Sequence, residues 1–291
     1  SMSCTLTTPY SSRKINIPSK ILQDLHTDRI HNSPTTPANT EATLHDHADG
    51  APFDNSFHYR SMIGKLMYLE RGSRPDLSFP VHQCAKYASN PKRAHGQAIR
   101  RIAKYLCSNR DKGTYLKPDL AKGVDIYVDA DFAGAWTTAT SNNPNNSLSR
   151  TGFTFLYAGC PVMWKSKIQT TIALSTTEAE YLALSEAIRA SILILRLLKE
   201  TSYHMGLQPP GTSIQCTVHE DNTSTIQMVE SERTTHRTKH ISTKVHHFKR
   251  YIRDKEVKVV HVPTQHQLAD IFTKAVVPHL FLSLRHKLMG W

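Results

Sequence analysis

With 291 residues, the chain is long enough for one large or two modest domains, and none of its segments has the roughly 18 consecutive apolar residues of a membrane span. Its 36 Lys and Arg residues exceed its 24 Asp and Glu residues, so the net charge of +12 predicts polyanionic partners, nucleic acids first and acidic membrane surfaces second. The five cysteines form no CxxC pair, which argues against a zinc ribbon or a disulfide framework and favours a reducing compartment.

Residues 1–56 are predicted to be an irregular N-terminal segment and linker. The first residues lack the apolar stretch of a signal peptide, and the Ser-Met start is typical of a remnant of tag cleavage. Residues 32–56 are rich in Pro, Asn, Asp and Thr, which favours a flexible connection. We therefore expect a protein that is not secreted.

Residues 57–118 are predicted to form a small helical region. The stretch YRSMIGKLMYLERG spaces its apolar residues as one face of a helix. Two further helical stretches follow, RPDLSFPVHQCAKYASN and PKRAHGQAIRRIAKYLCSN, each with a proline at or near its start. The last stretch carries basic residues around an apolar stripe, and a solvated surface explains them about as well as contact with phosphates does.

Residues 119–291 are predicted to form an α/β domain. Three strands come first, VDIYVDADF, RTGFTFLYAG and PVMWKSKI, the last two as a hairpin across Gly159. A helix to about Glu200 follows, then the strand SIQCTVHED, two helices, the strand VKVVHVP and a final helix, QLADIFTKAV. Consecutive strands favour antiparallel pairing, and later strand and helix alternation favours parallel additions. The predicted fold is a mixed five-stranded sheet flanked by helices.

Acidic residues lie where these predicted elements begin or end. Asp129 is near the end of the first strand, Asp221 is at the end of the fourth, and Asp270 is in the opening turn of the last helix. One such residue alone is usually part of a turn. Acids from distant segments can nevertheless converge on one edge of a sheet, where crowded carboxylates repel unless cations neutralise them. Mg²⁺ or Mn²⁺, which prefer oxygen ligands, are the expected cations.

The helix that begins STTEAEY carries two glutamates with different expected roles. Ser175 and Glu178 match a capping box, in which each side chain accepts a hydrogen bond from a backbone N–H group of the first turn. Glu180 lies roughly 200° further around the helix and heads a face of small and apolar residues. Because a buried acid needs a partner or a metal ion, Glu180 is predicted to be the fourth acid of the cluster.

Five sequence blocks resemble, in their order, the ribonuclease H domain of Ty1/copia-type retrotransposon polyproteins. They are IYVDADFAG, SRTGFTFLYAGCPVMWKSKIQTTIALSTTEAEYLALSEA, VHEDNTSTI, HRTKHI and HQLADIFTK. The helical stretches upstream resemble the thumb or connection part of the same family's reverse transcriptase. The resemblance implies a ribonuclease H-like fold for the α/β domain. The paired aspartates of the polymerase site are not found in this sequence, so no polymerase activity is expected from it.

The resemblance also implies an activity and a site. The activity is that of a ribonuclease H, which hydrolyses the RNA strand of RNA–DNA hybrids during reverse transcription and leaves 5′-phosphate and 3′-hydroxyl ends. The family's catalytic acids fall on Asp129, Glu180, Asp221 and Asp270, which would hold two Mg²⁺ or Mn²⁺ ions. The implied partners are the hybrid and the fingers and palm of the polyprotein. The implied location is a cytoplasmic virus-like particle or the nucleus.

Basic residues near the HRTKHI block are the expected contacts to nucleic acid, with a solvated helix face as the alternative. The candidates are Arg233, Arg237, Lys239, His240 and Lys244, with Arg150 and Lys165 as additions. His266, four residues before Asp270, stands where bacterial-type ribonucleases H carry a histidine that helps product leave. A histidine in a surface loop is the alternative for His266.

Two other functions remain open at the level of the sequence. One is a binding module that keeps the fold and the basic surface but cleaves weakly or not at all, and the intact acids argue against it. The other is a DNA-cutting nuclease of the same fold, such as a transposase or integrase core. Those proteins space their acids differently and lack STTEAEY, so this possibility ranks last.

Overall fold

A computed structural model describes most of the chain. The described residues are 17–26, 32–41, 44–46, 50–119, 121–138, 143–206, 214–231 and 248–291. Within them, the chain forms a helical region, a five-stranded sheet with a long helix on one face, and two C-terminal helices that lie on the other face. Among the helices in these ranges, none is both long enough and apolar enough to cross a membrane.

Ahead of the sheet, the described residues form the helices α1 (Ile17–Asp24), α2 (Tyr59–Ser73), α3 (Ser78–Ala85) and α4 (Arg93–Ser108). The first of them lies within residues 1–56, which the sequence predicted to be irregular, and it forms there because Ile21 and Leu22 pack into the buried cluster of the helical region. The side chain of His58 caps α2 by accepting a hydrogen bond from the backbone N–H of Ser61, since the first turn of a helix has no intrahelical partner for that group. The predicted helical region ahead of the sheet is therefore confirmed.

The sheet has the mixed pairing that the sequence predicted. Its strands are β1 (Val124–Asp131), β2 (Arg150–Tyr157), β3 (Cys160–Ile168), β4 (Cys216–Glu220) and β5 (Val257–His261), in the spatial order β3-β2-β1-β4-β5. The pairs β1/β2 and β2/β3 are antiparallel, and β1/β4 and β4/β5 are parallel. Because β1 and β4 run in the same direction, their carboxyl ends lie side by side. The predicted fold class is confirmed.

The long helix α5 (Thr176–His204) covers one face of the sheet. Alternate residues of β1, Val124, Ile126 and Val128, belong to the same buried cluster as Ala183 and Leu184 of α5. This alternation follows from the two-residue period of a strand, so the odd-numbered residues of β1 face the other side. The short helix α6 (Thr223–Glu230) and helical residues 248–253 follow α5 along the chain.

The C-terminal segment differs from the single final helix that the sequence predicted. It forms a four-residue helix α7 (Asp270–Thr273) and then a second helix, α8 (Pro278–Met289). The backbone is extended at Lys274, which ends α7, and Pro278 occupies the first turn of α8, where its missing N–H group leaves no bond unmade.

The helical region packs against the sheet through these C-terminal helices. One buried hydrophobic cluster contains Leu66 and Ile102 of the helical region together with Phe272 and Phe281 of the C-terminal segment. On the same face, the indole Nε1 of Trp164 in β3 donates a hydrogen bond of 3.0 Å to Glu70 of α2. The predicted domain boundary near residue 118 is therefore crossed by a continuous core.

A buried polar network strengthens this contact. Arg74 and Asp76 are both fully buried and form a two-pronged ion pair, with Nη2 and Oδ2 2.7 Å apart. Tyr105 donates a hydrogen bond to Asp76, and Arg285 of α8 donates one to the Tyr105 hydroxyl. The Arg285 guanidinium also lies 3.9 Å from the ring centre of Trp291. Because these charges are paired away from water, the network holds α8 in a defined position on the helical region.

Candidate metal centre

Asp129 lies near the carboxyl end of β1 and is almost completely buried. Its neighbour on β2 is Gly152, at which an added Cβ would lie 2.5 Å from Thr273 and 2.8 Å from Phe272 of α7. The missing side chain of Gly152 therefore allows α7 to approach the sheet. This approach brings the Thr273 hydroxyl to the Asp129 carboxylate, to which it donates a hydrogen bond.

Glu180 reaches the same place from the first turns of α5. Ser175 caps this helix and accepts a hydrogen bond of 3.1 Å from the backbone N–H of Glu178, and the Glu178 carboxylate accepts one from the N–H of Leu174. The predicted cap at Ser175 is therefore present, while the Glu178 carboxylate binds the N–H of Leu174, one residue before the cap, and not that of Ser175 as in the predicted capping box. Glu180 instead faces the sheet, is 4% exposed, and has one carboxylate oxygen, Oε2, without a hydrogen-bond partner among the described residues.

Three of the four predicted acids form a cluster of the size that one metal ion requires. Asp129, Glu180 and Asp221 each offer a carboxylate oxygen, and these oxygens all lie within 4.8 Å of one another. Asp221, which follows β4, is half-buried and accepts a hydrogen bond from the Thr264 hydroxyl. The parallel pairing of β1 and β4 explains why Asp129 and Asp221 meet, although they are distant in the sequence.

The fourth acid, Asp270, lies beside this cluster but is paired with a lysine. The ammonium Nζ of Lys274 lies 2.8 Å from Asp270 Oδ1 and 3.7 Å from Asp129 Oδ2. Burial alone would lower the pKa of Lys274, but the Asp129 and Asp270 carboxylates raise it, so the ammonium stays charged. Lys274 was not among the site residues predicted from the sequence. Its position four residues after Asp270 was a usable signal, since residues at this spacing are neighbours on a helix.

Burial and mutual repulsion raise the pKa values of three of these acids, Asp129, Glu180 and Asp270. For Glu180 the pKa lies well above its usual value, because of burial first and the Asp129 carboxylate second. Burial and Asp129 raise the pKa of Asp270 to about 7. The pKa of Asp129 is also raised by burial, while Lys274 and Thr273 oppose the shift. Without a divalent cation, Glu180 and a part of the Asp270 population are therefore expected to retain their protons at neutral pH.

A fifth acid, Glu220, was also missed. It is the last residue of β4 and is fully buried; one oxygen accepts a hydrogen bond from the backbone N–H of Asn222, and Oε2 has no hydrogen-bond partner in the described part of the chain. Burial is the main cause that raises its pKa to about 8. The block EDN offered two adjacent acids, and only its second, Asp221, was predicted to matter.

The donor set fits a divalent cation. Hard cations such as Mg²⁺ and Mn²⁺ bind oxygen ligands, and the cluster supplies carboxylates from three elements of the fold. The unpartnered oxygen of Glu180 supports this fit, because a buried polar atom without a partner is unfavourable unless a ligand completes it. A metal ion would also relieve the repulsion that raises the pKa values.

Two of the predicted nucleic-acid contacts lie within the described residues. Arg150 is only 5% exposed; its guanidinium donates hydrogen bonds to Ser166 and to Gln83 of α3. Lys165 is more exposed and forms an ion pair of 2.7 Å with Glu186 of α5. Both basic side chains therefore have structural partners, and their contact with nucleic acid stays a prediction.

Of the other predicted residues, the structure describes only His266. Five of them lie outside the described residues, namely Arg233, Arg237, Lys239, His240 and Lys244. His266 ends a short 3₁₀ turn, is exposed, and has its Nδ1 2.9 Å from the Nζ of Lys287 in α8. The histidine is thus held toward α8, and its role in product release stays a prediction.

Comparison with known proteins reveals relatives among transposon polyproteins, whereas no family model matches the chain. The chain is 32% identical over 234 residues to the Retrovirus-related Pol polyprotein from transposon TNT 1-94 of Nicotiana tabacum, which covers 80% of this chain. It is 30% identical over 253 residues to the one from transposon RE2 of Arabidopsis thaliana, which covers 87% of this chain. In both cases the match spans 16% of the relative's length. The expected relationship to retrotransposon polyproteins is confirmed.

A shorter relative and two solved structures show partial similarity. Secreted RxLR effector protein 161 of Plasmopara viticola is 39% identical over 135 residues, which are 46% of this chain and 89% of that protein. LC11-RNase H1 in complex with an RNA/DNA hybrid has a TM-score of 0.33 at 15% identity, covering 52% of this chain and 93% of that one. The foamy viral protease-reverse transcriptase in complex with double-stranded DNA has a TM-score of 0.43 at 12% identity, and the match covers 87% of this chain and 35% of that one. Both TM-scores are low, so a functional proposal depends on the sequence relatives and the acid cluster.

Proposed function

Because the chain belongs to the retrovirus-related Pol polyproteins of transposons, we propose that it is their ribonuclease H part, preceded by the thumb or connection part of the reverse transcriptase. The proposed reaction is hydrolysis of the RNA strand of RNA–DNA hybrids, leaving 5′-phosphate and 3′-hydroxyl ends. One observation carries the proposal: three buried or half-buried carboxylates, at the positions where the family's catalytic acids fall, lie within 4.8 Å of one another.

The residues have distinct parts in this proposal. Asp129, Glu180 and Asp221 would hold a first divalent ion, and Asp270 would help to hold a second once Lys274 moves aside. Bound divalent ions lower the pKa of a water molecule and neutralise charge on a phosphate, which is the chemistry that hydrolysis of a phosphodiester needs. Thr273 orients the Asp129 carboxylate through its hydrogen bond.

The proposed substrate and setting follow from the same relationship. An RNA strand differs from DNA by its 2′-hydroxyl groups, which allow an enzyme to distinguish the strand to be cut. The fingers and palm of the polyprotein are the proposed partners, since this chain spans 16% of its relatives' length. A virus-like particle in the cytoplasm or the nucleus is the proposed location.

The test is cleavage of a labelled RNA–DNA hybrid in the presence of Mg²⁺, beside duplex DNA and duplex RNA. We expect only the hybrid to be cut, and Asp129→Asn to abolish cleavage because it removes a ligand shared by the cluster. Asp111→Asn is the matched control: its side chain is 86% exposed and remote from the cluster in sequence, and the variant should cleave as the unchanged protein does.

Two other outcomes would replace this proposal. Hybrid binding without cleavage in Mg²⁺ or Mn²⁺ would indicate a binding module derived from a reverse transcriptase. Cleavage of duplex DNA at a rate similar to that of the hybrid would indicate a DNA-cutting nuclease.

A further inference from the structure

A cavity of about 520 Å³ lies between the helical region and the sheet. Its wall includes residues of α3 and α4, the residues that follow β1, and Lys274. Lys274 also contacts Asp129 and Asp270, so its side chain lies between the cavity and the candidate metal centre. A ligand in the cavity would therefore lie next to the acid cluster.

The wall of this cavity carries more positive than negative charge. Its cations are Lys86, Arg101, Arg150 and Lys274, and its one carboxylate is that of Asp131. Lys274 is neutralised by the acids of the metal centre. Within the described ranges, the other cations form no ion pair, and neutral oxygen atoms are their hydrogen-bond acceptors. These acceptors belong to Asn145 and Asn146 for Lys86, Thr36 for Arg101, and Ser166 and Gln83 for Arg150.

Burial of these three cations outweighs the attraction of the carboxylates that act on them, which are Asp46 for Lys86, Glu41 for Arg101 and Asp131 for Arg150. Burial and the charge of Arg150 lower the pKa of Lys86, and burial lowers the pKa of Arg150 to about 10. The Nε group of Arg101 is buried and has no hydrogen-bond partner in the part of the chain that the structure describes. Since these carboxylates only partly offset the cost of removing like charges from water, an anion in the cavity would stabilise all three side chains.

We propose that the cavity binds a phosphodiester group, with its attached sugar, of the nucleic-acid strand that passes the metal centre; this inference rests on the proposed function. Guanidinium groups such as that of Arg101 bind phosphate oxygens through paired N–H donors. Phe79 and Pro80 provide an apolar wall for the sugar, and the volume suits a ligand of one nucleotide unit. A free nucleotide or inorganic phosphate has the same chemistry, but the position of Lys274 between cavity and acids favours a strand.

The test is binding of a fluorescent RNA–DNA hybrid in EDTA, at several salt concentrations, to the double variant Lys86→Gln/Arg101→Gln. We expect affinity to fall roughly three- to tenfold, and the slope of log affinity against log salt to decrease by about one for each phosphate that the variant no longer binds. The control is Arg93→Gln/Lys104→Gln, which removes the same charge from exposed positions of α4 outside the cavity wall. An equal loss of affinity in the control would overturn the inference, because charge alone would explain it.

Further experiments distinguish a nucleic-acid strand from a free phosphate compound as the ligand of the cavity. Inorganic phosphate or adenosine monophosphate could raise the melting temperature of the unchanged protein but not that of the double variant. If both proteins then bind the hybrid equally well, the cavity binds free phosphate compounds and the inference is wrong. If the double variant does not fold, Lys86→Gln alone replaces it, since the hydrogen bonds of Lys86 are long, at 3.4 and 3.5 Å.

The outcome for the proposed function is read separately, from cleavage of the hybrid by the unchanged protein in Mg²⁺. If the unchanged protein cleaves the hybrid and the double variant binds it with unaltered affinity, this inference is wrong and the proposed function is supported. If the double variant binds the hybrid more weakly and the unchanged protein does not cleave it, the proposed function is wrong and the phosphate-binding cavity is supported.

Discussion

At the scale of single residues, Lys274 has the clearest measurable consequence. It places an ammonium group between Asp129 and Asp270, where it acts as the cation of the metal-free protein. We expect Lys274→Gln to lower the free energy of unfolding in EDTA by about 1–2 kcal/mol, a modest value because the side chain is 41% exposed to screening by solvent. The measurement is urea unfolding in EDTA and in Mg²⁺.

Unfolding in Mg²⁺ tests whether Lys274 takes the place of a metal ion. A bound ion would supply the charge that the variant lacks, so the difference between the two proteins should shrink in Mg²⁺. Lys199→Gln is the control, since Lys199 is an exposed lysine of α5. An equal loss of stability with and without Mg²⁺ would show that Lys274 does not substitute for an ion.

The raised pKa values of Glu220 and Asp270 predict a pH dependence. In the unfolded chain such carboxyls ionise near their ordinary values of 4.5 and 3.8, whereas the folded protein keeps them protonated up to about 8 and about 7. Between these limits the folded state binds more protons, so the free energy of unfolding that these groups contribute falls as pH rises. We expect the metal-free protein to be less stable at pH 8 than at pH 5.5 on account of these groups.

Urea unfolding in EDTA at the two pH values measures this slope. Glu220→Gln, which cannot ionise, should reduce the slope, whereas the exposed Glu200→Gln should leave it unchanged. Mg²⁺ should bind more tightly at the higher pH, because ligand carboxyls must release their protons first. A slope that is the same in Glu220→Gln and in the unchanged protein would contradict the assignment.

At the scale of elements, the approach of α7 to β2 depends on Gly152. A Cβ at this position would lie 2.5 Å from Thr273 Cγ2 and 3.1 Å from the backbone oxygen of Ala269, and neither the close-packed side chain nor the backbone can move freely. We expect Gly152→Ala to lower the free energy of unfolding by about 1–3 kcal/mol through overpacking. It should also reduce hybrid cleavage, because α7 carries Asp270.

Gly64 provides the matched control for this change. It lies inside α2, and an added Cβ there would have no neighbour within 4 Å. Gly64→Ala should therefore stabilise the protein by about 0.5–1 kcal/mol, since alanine restricts the unfolded chain more than glycine does. Urea unfolding of both variants is the measurement, and equal effects at the two positions would contradict the steric explanation.

At the scale of the whole molecule, the shared core predicts one unfolding transition. Phe281 of α8 is 4% exposed and meets Tyr105 of α4 edge to face, with ring centres 6.0 Å apart. Far-UV circular dichroism and tryptophan fluorescence should report the same midpoint, because the helical region and the sheet lose their common core together. Phe281→Ala should lower the free energy of unfolding by about 3–5 kcal/mol without separating the two signals. Two distinct midpoints in the unchanged protein would show independent units.

Local sequence patterns were sufficient to predict the elements of the sheet and the acids near their ends. Strand periodicity, the cap at Ser175 and the order of the five blocks are local patterns, and they were sufficient to predict the mixed sheet and to single out Asp129, Glu180, Asp221 and Asp270. Local patterns suffice here because backbone hydrogen bonding and the alternation of side chains depend on neighbours in the chain.

How these parts meet became visible only in the folded chain. Folding brought Lys274 to Asp129, buried Glu220 and Arg150, and joined the helical region to the sheet through α8. None of these could be predicted from periodicity, because each depends on how segments far apart in the chain pack together. Burial then sets the energy of a charge, so the same side chain can be a surface group or part of a site according to what packs against it.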